Sequence, residues 1–262
     1  MDNPDQSRKK AGIQVQSVAR ALEIMNCLKE TPEMGISEIS AAMNLNKSTV
    51  FGLVNTLVGY GYLEQIESSK KYRLGIRLFE MGNTVLSRID VRNEAKSVCS
   101  LLAAKYNATV HIATYNDGQV VYIDKLDNGT SLITASNVGK RLPMYCCGVG
   151  KAMMAYLPRE YLDKYVFCRP MTKLTPNTIT DPAILLNELN DIRRTGIAMD
   201  HEEIEPGLSC IASPILQHDG LPRAAVSLSF PYGRIQEVDQ ETAKLDLADC
   251  TRRLSERLGY HG

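Results

Sequence analysis

The clearest pattern in the chain is a pair of apolar periodicities separated by a polar turn at residues 44–46. The apolar positions are Ile36, Ile39 and Met43 before the turn, and Val50, Leu53, Val54, Leu57 and Val58 after it. This spacing predicts two amphipathic helices, with Ser37 as the N-cap of the first. The other face of the second helix carries Lys47, Ser48, Thr49, Gly52 and Asn55. The pattern indicates a helix-turn-helix whose second helix can enter a DNA major groove, although an ordinary helical hairpin gives the same pattern.

Elements on both sides of this pair complete a small DNA-binding fold. A further helix is predicted over residues 16–29, and two short strands flank a polar turn at residues 67–70, which is typical of a wing. We therefore expect a flexible tail over residues 1–13, a winged helix-turn-helix over residues 14–75 and a connecting helix over residues 76–91, a natural dimerisation surface. Asn46 and the wing residues Lys70, Lys71 and Arg73 join the candidates for DNA contact.

The remaining residues, 92–262, mix strands and helices. Strands are predicted at 109–115, 120–126, 131–137, 209–216 and 223–230, and helices at 92–106, from Val149, and at 158–166, 182–195 and 237–258. The sequence Asn116-Asp117-Gly118 is a strong hairpin signal. Hairpins with helices at either end predict an α+β domain with a mostly antiparallel sheet.

Length and composition bound the function classes. The 262 residues suffice for two domains, and neither a membrane-spanning apolar run nor a signal-peptide core is visible, so we expect a cytoplasmic protein. Seven cysteines without CxxC or metal-finger spacing argue against a disulfide framework or structural zinc. The formal net charge of zero is a weak argument against DNA binding, because phosphate contacts require local positive charge.

Three short motifs in the C-terminal half could carry chemistry. The sequence CGVGKA lacks the first glycine and the hydroxyl residue of a phosphate-binding loop. The sequence DHEEIE at residues 200–205 could bind a divalent metal, but its carboxylates more simply line a polar pocket or face solvent. Ser227 and Ser229 share one face of a strand, facing either solvent or a ligand. No catalytic residue, metal site or cofactor is predicted, because no nucleophile-base spacing is present.

Several blocks match a known family in order. SVARALEIMNCL, GISEISAAMNLNKSTVFGLVNTLVGYGYLEQ and KYRLGIRLFEMG resemble the DNA-binding half of IclR-type transcriptional regulators. GKRLPMYCCGVGKAMMA, GIAMDHEEIEPGLSCIASPI and AAVSLSFP resemble that family's effector-binding half, which is GAF-like. LPMYC, LTPNTIT and LGYHG are similar to members that control sugar-acid catabolism, including 2-keto-3-deoxygluconate repressors.

The resemblance implies a pocket for a small carboxylate effector. Carried over motif by motif, its residues are Met144, Gly148, Val149, Asp200, Leu208, Cys210, Ser227 and Ser229. One position departs from the family, because Gly52 stands where relatives usually carry a basic residue. Arginine is the commonest reader of guanine, so the operator sequence does not carry over from the family.

We therefore expect a ligand-responsive transcription factor that binds a partly palindromic DNA operator as a homodimer or homotetramer. The expected effector is a small organic acid or sugar acid, no membrane partner is expected, and repression is favoured over activation. The alternative is a sensor or protein-interaction module with a degenerate helix-turn-helix. An operator footprint would distinguish the two.

Overall fold

The apolar periodicities of the N-terminal part form four helices and one hairpin. They are α1 (Gln16–Glu30), α2 (Ile36–Met43), α3 (Lys47–Gly59), β1 (Leu63–Gln65), β2 (Tyr72–Leu74) and α4 (Ile76–Ser87). The computed structural model describes residues 15–87, 90–126, 137–231 and 233–261, so the expected tail lies outside it. β1 and β2 pair antiparallel with Glu64 opposite Arg73, which confirms the predicted wing.

One apolar face of each of the first three helices builds the core of this part. Ile24 of α1, Ile39 of α2, and Val50 and Val54 of α3 are fully buried. Burial of a side chain of this size stabilises the fold by ~1.5–3 kcal/mol. The apolar stripes predicted from sequence are therefore the surfaces that fix α2 and α3 in a helix-turn-helix.

The prediction of Ser37 as the N-cap of α2 is wrong. The helix begins at Ile36 with Gly35 as its N-cap, and Ser37 lies exposed in the first turn. The Gly35 N–H donates a hydrogen bond of 2.6 Å to Oε2 of Glu38, which reaches back from the third helical position. A glutamate in this place satisfies a backbone donor at the helix start, so no capping hydroxyl is required.

The chain divides into two compact units, Met1–Arg88 and Ile89–Gly262. The second contains a six-stranded sheet in which all the described strand pairs are antiparallel. Its order is β5 (Arg141–Pro143), β4 (Gln119–Leu126), β3 (Thr109–Asn116), β8 (Pro222–Pro231), β7 (Leu208–Leu216) and β6 (Ala198–His201). The α+β prediction is confirmed, and the short edge strands β5 and β6 are additions to it.

Helices cover both faces of this sheet. They are α5 (Asp90–Tyr106), α6 (Gly148–Met154), α7 (Arg159–Tyr165), α8 (Pro182–Thr195) and α9 (Gln240–Arg257). The Ser213 hydroxyl of β7 meets the Thr251 hydroxyl of α9 at 2.7 Å. Its neighbour Ala212 faces the other side, where it packs in one apolar cluster with residues of α6 and α8. The predicted strand at 131–137 lies, apart from Asn137, outside the described residues.

Candidate functional site

The polar face of α3 is exposed, as the sequence predicts. Lys47, Ser48, Thr49, Gly52 and Asn55 are all exposed, whereas the apolar stripe of the helix points into the core. Asn46 occupies the N-cap position, and its side chain makes no capping hydrogen bond. Lys47, Ser48, Thr49, Gly52 and Asn55 therefore form one surface without a packing role, which we call the α3 face. Sequence reasoning missed Phe51, which is also 51% exposed at the edge of this face.

The turn between α2 and α3 is held by local contacts. Asn44 adopts a left-handed backbone with φ of 51°, which asparagine tolerates better than most residues. The Ser40 hydroxyl donates to the carbonyl oxygen of Leu45 at 2.5 Å. These contacts fix the angle between the two helices, as insertion of one helix into a groove requires.

Two of the three candidate basic residues of the wing already have acidic partners. Lys71 Nζ lies 2.9 Å from Oε1 of Glu38, and an Arg73 nitrogen lies 3.1 Å from Oε2 of Glu64. Lys70 is exposed at the turn, with φ of 57°. Exposed ion pairs contribute little free energy, so a phosphate can compete for these cations.

The second unit contains a cavity on the α6 side of the sheet, with about 350 Å³ of empty space including its mouth. Its walls are His111, Tyr122, Leu142, Cys147, Gly148, Val149, Asp200, Ile204, Leu208, Cys210, Ser227 and Ser229. Seven of the eight residues expected to contact the effector therefore lie together on the wall of this cavity. The exception is Met144, which is fully buried and absent from the cavity wall. Its backbone packs against α6 so closely that a Cβ on Gly150 would meet the Met144 carbonyl oxygen at 2.1 Å.

The sheet register explains why residues distant in sequence meet in the cavity. Asp200 of β6 lies opposite Cys210 of β7, which in turn lies opposite Ser229 of β8. In the next row, Ser227 of β8 lies opposite His111 of β3. Residues two apart on a strand share a face, so one face carries both serines. They are 3% and 2% exposed, so a solvent-facing position for either is excluded.

His111 and Tyr122 extend the polar wall beyond the residues expected from sequence. His111 Nδ1 lies 3.1 Å from the Ser229 hydroxyl, and its ring centroid lies 5.2 Å from that of Tyr122. The Cys210 thiol donates to the same hydroxyl oxygen at 3.2 Å. Only the predicted alternation of β3 could have indicated His111, because its partner Ser229 is 118 residues away along the chain.

Asp200 is the most unusual polar group of the cavity. It is 1% exposed, and its Oδ1 accepts a 2.9 Å hydrogen bond from the Glu203 N–H, whereas its buried Oδ2 has no hydrogen-bond partner among the residues that the structure describes. Burial raises the pKa of Asp200 to about 7. The Glu203 N–H opposes this rise, as do Lys151 and the Gly148 N–H, whereas the Glu203 carboxylate adds to it. A buried acceptor without a donor is destabilising, so this oxygen is suited to a ligand donor.

Lys151 excludes the phosphate-binding alternative for the CGVGKA motif. Its side chain is completely buried, with Nζ at 2.5 Å from Oε1 of Glu203 and 2.6 Å from Oε1 of Glu188. Burial lowers the pKa of Lys151, but the two carboxylates outweigh burial and raise it overall. Lys151 therefore joins α6 to α8 and to the segment that follows Asp200, and its charge is already compensated.

The cavity has the character of a binding site. Burial raises the pKa values of the Cys147 and Cys210 thiols well above their usual range, so both stay protonated and are poor nucleophiles at neutral pH. Within the described residues, no group of three or more His, Cys, Asp or Glu side chains is arranged to hold a metal ion.

In the same part of the chain, no helix combines the length and apolarity needed to cross a membrane.

Comparison with known proteins finds the same family in both halves of the chain. The family described as "IclR helix-turn-helix domain" matches residues 17–67, and the family described as "Bacterial transcriptional regulator IclR C-terminal" matches residues 83–256. The Escherichia coli regulator XynR is 34% identical over 247 residues, covering 94% of this chain and 98% of its own length. The E. coli regulator KdgR is 33% identical over 247 residues, covering 94% of each chain.

A solved structure shows the same architecture over nearly the whole chain. The crystal structure of Thermotoga maritima IclR superposes with a TM-score of 0.75 at 30% identity, covering 94% of this chain and all of that one. The helix-turn-helix and the antiparallel sheet thus occur together in a family of transcriptional regulators rather than enzymes. From these matches and the geometry described above, we conclude that the chain belongs to the IclR family of ligand-responsive, DNA-binding transcriptional regulators.

Proposed function

We propose that this regulator represses transcription from a partly palindromic operator and that a small organic acid bearing hydroxyl groups, such as a sugar acid, alters this binding from the cavity. The observation that carries the proposal is the buried, unpartnered Oδ2 of Asp200 beside two buried serine hydroxyls. Resemblance of the C-terminal blocks to sugar-acid regulators supports repression and this effector class. The proposed location is the cytoplasm.

The ligand contacts follow from the donors and acceptors on the cavity wall. The Ser227 and Ser229 hydroxyls can donate to a ligand carboxylate, together with the Gly148 N–H that the resemblance places there. Asp200 Oδ2 can accept from a ligand hydroxyl. No lysine or arginine is among the residues on the described wall, so neutral donors would hold the acid. With its pKa near 7, Asp200 is mostly protonated below neutral pH and then does not repel the acid.

The proposed division of the chain follows the sequence interpretation: a tail over residues 1–13, a DNA-binding domain over 14–75, a connecting helix over 76–91 and an effector domain over 92–262. The α3 face, with Asn46 and Ser37 beside it, would contact the operator, and Lys70, Lys71 and Arg73 would contact phosphates. A homodimer or homotetramer would place one α3 face on each half-site, because operator symmetry mirrors protein symmetry. Several small basic footprints would then act together on DNA.

Lys47→Ala and Thr49→Ala should each weaken operator binding without affecting folding or effector binding. Both side chains are exposed on the α3 face, and loss of a base or phosphate contact there should cost ~1–3 kcal/mol of binding free energy. Operator affinity is measured by gel shift on a duplex selected by the wild-type protein from random sequences. Lys29→Ala, an exposed charge removal in the last turn of α1, is the matched control. Equal affinities for all four proteins would remove the α3 face from the operator contact.

Replacement of both serines by alanine should abolish effector binding at wild-type concentrations. Each hydroxyl is expected to donate a charge-assisted hydrogen bond in a desolvated site, which is worth ~1.5–3 kcal/mol. Calorimetric titration with a panel of sugar acids and keto acids measures the loss. Ser213→Ala is the control, because this buried serine points to Thr251 on the other side of the sheet. Wild-type affinity in the double variant would place the effector elsewhere.

A further inference from the structure

Gly52 has no structural reason to be a glycine within its own unit. It lies inside α3, where glycine is among the least favourable residues, and its backbone is ordinary helix. A Cβ added at Gly52 would meet no atom within 4 Å. Neither packing nor backbone geometry within the unit requires the missing side chain, so Gly52 leaves the helix backbone bare at an exposed position.

The neighbouring residue, Phe51, is the converse case. It is a large apolar side chain that is 51% exposed, although Val50 and Val54 beside it are fully buried. Lys47 and Asn55 lie one helical turn before and after it, and both are exposed. The α3 face therefore has an exposed aromatic ring at its edge, and it combines polar side chains with a position, Gly52, where the backbone carries no side chain.

We propose that Phe51 and Gly52 together read a T·A base pair of the operator, a proposal that rests on the proposed docking of the α3 face in the major groove. The absence of a side chain at Gly52 lets the helix backbone come close to the base edges. This approach brings the Phe51 ring against the 5-methyl group of thymine, which is the apolar mark of a T·A pair in the major groove. Specificity at this step comes from shape and apolar contact rather than from a basic side chain.

The position of Phe51 and Gly52 along α3 fits this role. In helix-turn-helix proteins, the N-terminal residues of the second helix contact base edges. Gly52 is the sixth residue of α3, whereas Gly59 is its last residue. Gly59 is seven positions further, so it lies on the same face at a distance of ~10 Å along the axis. An added Cβ would meet nothing there either, so Gly59 is a matched control for Gly52.

Gly52→Ala should make the protein more stable and a weaker DNA binder. We expect the melting temperature of the DNA-binding unit to rise by ~4 °C, because alanine favours the helix. Operator affinity, measured by gel shift on the duplex selected by the wild-type protein, should fall at least tenfold because the new methyl group holds the backbone away from the bases. Gly59→Ala should leave operator affinity at the wild-type value.

Deoxyuridine substitution isolates the methyl contact. Each thymine of the selected operator is replaced in turn by deoxyuridine, which lacks only the 5-methyl group. At one position per half-site, the wild-type protein should lose about fourfold in affinity, the factor expected for one buried methyl group. Phe51→Ala should bind the thymine operator more weakly and show no further loss at that position. Tyr60→Ala, which removes an exposed aromatic ring just beyond the end of α3, should keep the wild-type sensitivity.

Either of two results overturns this proposal: wild-type operator affinity in Gly52→Ala, or a deoxyuridine loss that persists in Phe51→Ala. Failure of the wild-type protein to select any sequence is a different result, because it contradicts the proposed operator binding itself.

Discussion

Replacing Lys151 by methionine should destabilise the effector-binding unit by ~3–5 kcal/mol, because it leaves a buried carboxylate without its counter-charge. Glu203 is 3% exposed, and its Oε1 contacts Lys151 Nζ at 2.5 Å. Methionine preserves most of the side-chain volume, so the loss comes from charge rather than from a cavity. Urea unfolding of the full-length protein, followed by circular dichroism, measures the free energy of unfolding.

Lys105→Met is the matched control for this change. Lys105 also contacts a carboxylate at 2.5 Å, that of Asp246, but its side chain is 55% exposed. Water screens an exposed pair, so this variant should unfold close to the wild-type urea concentration. Combining Lys151→Met with Glu203→Gln should recover part of the loss, because it removes the orphaned charge. Equal midpoints for Lys151→Met and Lys105→Met would show that Lys151 does not hold the site together.

Asp200→Asn should stabilise the protein more than twice as much at pH 8 as at pH 5. The folded-state pKa of Asp200 is about 7, against 3.8 for an ordinary aspartate, because the carboxyl is buried. Between these values the folded protein holds a proton that the unfolded chain has released, so stability falls as pH rises through this window. Above pH 7 the full penalty, on the order of 4 kcal/mol, is present. Asparagine resembles the protonated acid and therefore avoids this penalty.

Thermal unfolding at the two pH values gives the comparison. The expected result is a rise in the melting temperature of Asp200→Asn that is more than twice as large at pH 8 as at pH 5, and a uniform shift at both pH values would contradict the raised pKa. The same variant should bind the effector more weakly than wild type but better than Asp200→Ala, because the amide keeps one acceptor. A functional site is expected to contain residues that lower the stability of the free protein and raise its affinity for the ligand.

Much of the fold follows from local sequence patterns. The stripe of Val50, Leu53 and Val54 defines α3, and the predicted helix at residues 182–195 is α8 with the same bounds. Asp117 and Gly118 both have positive φ at the β3–β4 turn, as the Asn-Asp-Gly signal requires. These features depend on neighbours within a few residues, so a sequence reader can find them without knowing the tertiary structure.

The remaining features depend on distant partners. The β6 strand has only four residues, too few for an alternation to be recognised. Lys151 belongs to the CGVGKA motif, and nothing near it in the sequence indicates its partners, which lie 37 and 52 residues away. His111 and Tyr122 become cavity residues only once β3 pairs with β8 and β4. The resemblance supplied seven of the residues on the cavity wall, whereas its eighth, Met144, is buried and absent from that wall.

Operator affinity as a function of effector concentration tests the central claim most directly. Fluorescence anisotropy on the labelled operator is compared between the wild-type protein and the Ser227→Ala, Ser229→Ala double variant, with the best effector from the calorimetric panel. The wild-type dissociation constant should shift at least fivefold on saturation, within the usual range of allosteric coupling. The double variant should bind the operator as well as wild type without effector and show no shift at the same concentrations. An equal shift in both proteins would contradict control of DNA binding from this cavity.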